Sequence, residues 1–217
     1  MCFNPTASLF AFSIGIISWI ILLFLQINNA ALIVIYLSLI QLVEYFAHIS
    51  LINKDTNMNI ITSKLIFFIT LFQPLVYYIA SLLTNTKYSF KYANDYLFLI
   101  PIYIVAIIFF YIYLNNNKLF KITYLNNSCQ NICRLSWDFF GYNKLFTIFV
   151  FILYFAICII FWKKMTLDFY AQILIIISII YTLFLSRKLK SIFSIFGSIW
   201  CFLAVSYGPF VIIRYLM

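Results

Sequence analysis

The sequence predicts an all-α, polytopic membrane protein with seven transmembrane helices, and three observations carry that expectation. Hydrophobic residues make up 66% of the 217 and charged residues 9%, whereas a soluble domain needs roughly a quarter of its residues charged to cover its surface. Seven apolar stretches approach or exceed the ~20 residues with which a helix crosses a ~30 Å hydrocarbon core. The tracts between them are mostly short, polar and cationic.

The chain reads as one domain, 1–217, with spans at about 7–26, 30–52, 60–84, 96–114, 145–162, 169–185 and 192–217. The first span has no basic leader and no small-residue cleavage site, so it reads as a retained helix rather than a signal peptide. Asn53-Lys-Asp-Thr-Asn-Met-Asn59 is a typical connector. One longer loop, 115–144, contains Cys129, Cys133 and Trp137; a contact surface and a solvated connector are both open readings of it.

Seven spans put the termini on opposite sides. The N-terminal side collects Lys54, Lys118, Lys121, Arg134, Lys144, Arg187, Lys188 and Lys190, against Lys87, Lys91, Lys163, Lys164 and Arg214 on the other. The excess favours a cytoplasmic N-terminus and an outside C-terminus. The sequon Asn126-Asn127-Ser128 points the other way. It weighs less, because short sequons arise readily in Asn-rich loops. The net charge of +9 sits in juxtamembrane tracts suited to lipid headgroups rather than on an extended basic face, which argues against nucleic acid as a partner.

Two matching offsets raise the expectation of parallel repeats in a 3+1+3 arrangement. Leu9-Phe10 and Leu145-Phe146 are 136 residues apart, and Gln73-Pro74-Leu75-Val76 and Gly208-Pro209-Phe210-Val211 are 135 apart. Transporters are often built from such halves.

The polar residues inside the spans are the candidate site. The sole glutamate, Glu44, and the sole histidine, His48, share the second span with Ser38, Gln41 and Tyr45. At 100° per residue the five lie within about 120° of arc, one stripe that must face protein or water. A charged group at mid-membrane costs about 2.5–3.5 kcal/mol on insertion scales, so such a residue is a functional candidate by default. Counting 1.5 Å per residue from the span edges puts His48 ~6 Å, Glu44 ~12 Å, Cys201 ~14 Å, Gln41 ~16 Å and Gln73 ~20 Å deep. Gln41, Glu44, Gln73 and Cys201 are therefore expected in one layer, with Cys2 nearest His48. Lys64 lies half a turn from the Gln73 face and is expected to snorkel to the headgroups. On the last span, Gly197, Ser198 and Gly208 belong to a small-residue face that lets another helix approach closely. Pro74 and Pro209 each free a carbonyl one turn earlier, as a kink or as part of a site.

These positions carry a resemblance. The opening MCFNPTASL is similar to the MCFS-type N-terminus of an uncharacterised multi-pass membrane protein family of bacteria and large DNA viruses. Gln41-x-x-Glu44, Gln73-Pro74 and Ser198-Ile-Trp-Cys-Phe202 match motifs of its second, third and last spans. Asn4 departs from the usual Ser and so questions a role for a hydroxyl there. The resemblance implies a viral or cellular membrane and these candidate positions; no established activity comes with it.

Several classes are disfavoured. A retinal protein needs a lysine inside the last span, receptor signatures such as Asp-Arg-Tyr are absent, and one His with no C-x-x-C pair supplies no multi-histidine zinc centre. No metal or cofactor is implied. Three readings stay open. Glu44 could move a proton or cation in permeation or coupled transport, with Gln41, His48, Gln73 and Cys201 around it. The polar stripe could instead serve helix packing in a structural or assembly protein, a homo-oligomer included. Or Cys2 or Cys201 could be a nucleophile with His48 as base and Glu44 orienting it.

Overall fold

The computed structural model describes residues 4–82, 99–124, 135–140, 142–162 and 206–217. The described chain is mostly helical: α1 (Pro5–Phe24), α2 (Asn28–Ile52), α3 (Thr56–Leu82), α4 (Leu99–Asn116), a hairpin of β1 (Ile122–Tyr124) and β2 (Leu135–Trp137), α5 (Lys144–Trp162) and a terminal helical segment at 206–216. Among the described residues four helices, α1 to α4, are long and apolar enough to cross a membrane. The protein is an integral membrane protein on that ground. The expected span at 169–185 and most of that at 192–217 lie outside the described residues, as do Cys2, Cys129, Cys133, Gly197, Ser198, Cys201 and the sequon.

Polar residues set the helix boundaries, so they differ from the apolar windows. Asn4 caps α1, its Oδ1 accepting from Ala7 N at 2.7 Å, with Pro5 in the first turn. Asn is among the residues that cap a helix N-terminus best. Asp55 accepts from Met58 N at 3.0 Å and Asn143 from Phe146 N at 3.1 Å, which starts α3 four residues before its apolar window.

Three helices stop without glycine. Gln26, Lys54 and Lys118 adopt φ of 59°, 54° and 53°. The following amides, of Ile27, Asp55 and Leu119, bond back to Leu22, Ser50 and Leu114 carbonyls at 2.9 Å each. This is the Schellman closure, which satisfies carbonyls that would otherwise be orphaned at the helix end.

α2 lies at the centre. Of its membrane window 61% is buried, against 22% for α1, 44% for α3 and 28% for α4. On one side it meets α1 and the segment 206–216 through small residues. A Cβ added to Gly15 would overlap Ser38 Oγ and stand 2.7 Å from Ser38 Cβ; one added to Gly208 would stand 2.6 Å from Ser18 Cβ and 3.3 Å from Val34. Gly208 thus packs where a side chain would not fit.

On the other side Ile40, Val43 and Ala47 of α2 border an aromatic core. Phe67 of α3 is ringed by Phe110 and Phe120 at 5.5 Å and by Phe139 and Phe140 at 6.1 Å. Phe140 continues the cluster to Phe151 of α5 at 5.2 Å.

Trp137, Phe139 and Phe140 are fully buried, so this part of the 115–144 loop is no solvated connector. It is a folded hairpin that inserts rings among α3, α4 and α5. β1 and β2 pair antiparallel, Ile122 opposite Trp137 and Tyr124 opposite Leu135. Asp138 ties the strands, accepting from Thr123 Oγ1 at 2.8 Å and Ser136 Oγ at 2.7 Å. Asn59 of α3 holds the outer edge of β1, donating to Ile122 O and accepting from Ile122 N, both at 3.0 Å. The amide thus does for β1 what another strand would do.

Candidate functional site

Four of the five stripe residues on α2 are buried: Ser38, Gln41 and Glu44 are 1% exposed and His48 0%. The spacing of three and four places them on one helix face, and the central position of α2 encloses that face. Ser38, at the deep end, donates to Val34 O at 2.7 Å and lies against Gly15. It serves the contact with α1. Tyr45 stands edge-on to Phe46, 5.3 Å between centroids, at the half-buried margin. Of the five stripe residues, Gln41, Glu44 and His48 form the enclosed group.

His48 meets the hairpin. Its ring centroid lies 5.8 Å from that of Tyr124, tilted by 35°. Burial pushes the Tyr124 phenol above its ordinary value of 10.0. A strand of the loop is thus one neighbour of His48.

Gln73 is fully buried in α3 and its amide is used at both ends. Nε2 donates to Tyr77 Oη at 2.9 Å, and Tyr154 Oη of α5 donates to Oε1 at 2.6 Å. Around it two more tyrosines address the backbone beside Pro74: Tyr36 of α2 donates to Ile69 O at 2.8 Å and Tyr103 of α4 to Leu71 O at 2.7 Å. A proline deprives the carbonyl four residues earlier, here Thr70, of its partner and loosens its neighbours. Hydroxyls from two other helices supply bonds on either side of that position. Pro74 lies inside a continuous helix, so it is a buttressed site of interhelical bonding.

The expected common layer divides into two levels. Counted from the turn that α2 and α3 share, Glu44 lies eight residues into α2 and Gln73 seventeen into α3. At 1.5 Å each these are depths of ~12 Å and ~26 Å. The earlier start of α3, set by the Asp55 cap, carries Gln73 beyond the level of the carboxylate. Lys64 also has a definite place: its Nζ stands 5.8 Å from the Tyr111 ring centroid and 5.7 Å from that of Phe120, a cation–π arrangement.

Tyr36, Tyr77, Tyr103 and Tyr154 were not among the residues singled out from the sequence. Tyr77 was within reach, being one helical turn after Gln73; the other three come from separate helices and carried no local signal. No family model, curated protein or solved structure matches the chain.

Proposed function

We propose that the protein handles protons or small cations within the membrane, as a channel or coupled transporter, with Glu44 as the group that binds and releases them. The observation that carries this is the burial of Glu44 together with Gln41 and His48 on the most enclosed of the described spans. Placing a carboxylate there has a cost that lipid-facing sequence does not bear. His48 lies one turn nearer the helix end and meets Tyr124 of the hairpin, and a proton or cation would enter from that end. In this proposal the full chain forms seven helices, with Cys201 of the last contributing to the same interior and the two halves related as 3+1+3. The N-terminal end and the hairpin face the cytoplasm.

The test is flux of protons and of Na⁺ or K⁺ in proteoliposomes. Wild type should exceed empty vesicles, and Glu44→Gln should fall to the empty-vesicle level. Equal flux from both, at that level, would remove the proposal.

A structural or assembly role is a second reading, favoured by the Gln73 amide, which is bonded at both ends by Tyr77 and Tyr154. It predicts that Glu44→Gln and Gln73→Leu both lower the resistance of the protein to unfolding in detergent while no flux is found in any variant.

A further inference from the structure

At the end of the bundle where α2 turns into α3, a cleft of about 500 Å³ lies between that turn and β1. Three lysines from two separate segments line it: Lys54 from the turn, and Lys118 and Lys121 from the stretch entering β1. The acid beside them is Asp55, whose carboxylate is occupied in capping α3. Two of the lysines are held there by backbone geometry, because Lys54 and Lys118 are the left-handed closing residues of α2 and α4. That conformation is unfavourable for a non-glycine residue.

One wall of the cleft leads down the outer face of α3. Ile60 lines it and is 41% exposed, and Ile61 and Leu65 beside and below are exposed as well. A ligand that fills both parts has an anionic head and a long apolar body. Lys64, held over Tyr111 and Phe120 one turn deeper, adds a fourth cation near the path.

We propose that this cleft binds the phosphate headgroup of an anionic phospholipid, with its acyl chains along Ile60, Ile61 and Leu65. The shared chemistry is a phosphate held by Lys54, Lys118 and Lys121. The apolar face selects the lipid over a free phosphate. The site is separate from Glu44, and its test reads lipid binding rather than flux.

The experiment measures association of spin-labelled phosphatidylglycerol and phosphatidylcholine with the full chain in phosphatidylcholine vesicles. Each juxtamembrane lysine is worth about fivefold toward an anionic surface, and screening leaves about a fivefold net preference for phosphatidylglycerol in the wild type. The variant Lys54→Asn, Lys118→Asn, Lys121→Gln should reduce the preference to below about twofold; Asn tolerates the left-handed conformation, so helix ends are kept. Should that variant fail to fold, Lys121→Gln alone should still lower the preference by about half. Lys163→Gln with Lys164→Gln serves as control and should leave the preference intact. Absence of preference in the wild type, or a preference unchanged in the lysine variants, would overturn the proposal. Displacement of the labelled lipid by inorganic phosphate, beyond chloride at equal ionic strength, would overturn the lipid assignment in favour of a free phosphate.

Discussion

The two sides of α2 are held by opposite means. Toward α1 and the terminal segment the contact is made by removing side chains: Gly15 admits Ser38, and Gly208 admits Ser18 and Val34. On the α3 side Ile40, Val43 and Ala47 of α2 join a core in which α3, α4, α5 and the hairpin are packed together by rings, Phe67 at their centre. Inside a bilayer lipid tails are as apolar as leucine, so association rests on packing and hydrogen bonds. Close backbone approach and dense aromatic interdigitation are two solutions to that one problem. They fail differently: the first is intolerant of any added atom, the second of any removed one.

The sharpest way to break the aromatic side is Phe140→Ala. It removes a fully buried ring shared by α3, α4, α5 and the hairpin, and should lower unfolding stability in mixed micelles by about 3–5 kcal/mol. Gly15→Ala tests the other side and should cost about 1–3 kcal/mol by overpacking. Adding Ser38→Gly to Gly15→Ala should recover most of that loss, a coupling that a double-mutant cycle would read directly; no recovery would deny that Ser38 is what Gly15 accommodates. Asn59→Leu releases the edge of β1 from α3, leaving the Ile122 amide and carbonyl without their partner. A cost of about 2 kcal/mol is expected, with faster hydrogen exchange at the Ile122 amide as the specific sign. The smallest effect is a gain. Gln26→Gly relieves a left-handed residue outside both contacts and should stabilise by about 1 kcal/mol.

Much of the candidate site was legible because polar groups in lipid-spanning sequence are costly and therefore placed. Gln41, Glu44, His48 and Gln73 stand out from composition and helical spacing, and all four are buried. Their levels were less legible. Depth counted from apolar windows put Glu44 and Gln73 together, whereas the Asp55 cap begins α3 earlier and separates them. The hairpin was hidden for a related reason: its described strands have three residues each, and its stability comes from Asn59, some sixty residues away, and from Asp138 bonding across the strands. The helix ends near 26, 52 and 114 were legible from the polar connectors, whereas the left-handed closures at Gln26, Lys54 and Lys118, which carry none of the usual glycine, were not.

By itself the sequence determined the solvent. A chain so apolar, with its cations in short tracts, has to lie in lipid, and continuous apolar runs of about 20 residues suit helices, in which every backbone amide bonds within its own segment. It also marked α2 as the helix with most to conceal. Only the tertiary structure decided what each polar group meets: that Gln73 is spanned by two tyrosines, that His48 lies under a strand of the loop, and that three lysines from two segments share one cleft. Such pairings depend on which helices are neighbours and at what height. A periodicity of 3.6 residues fixes the face of a helix and is silent on the element that face will touch.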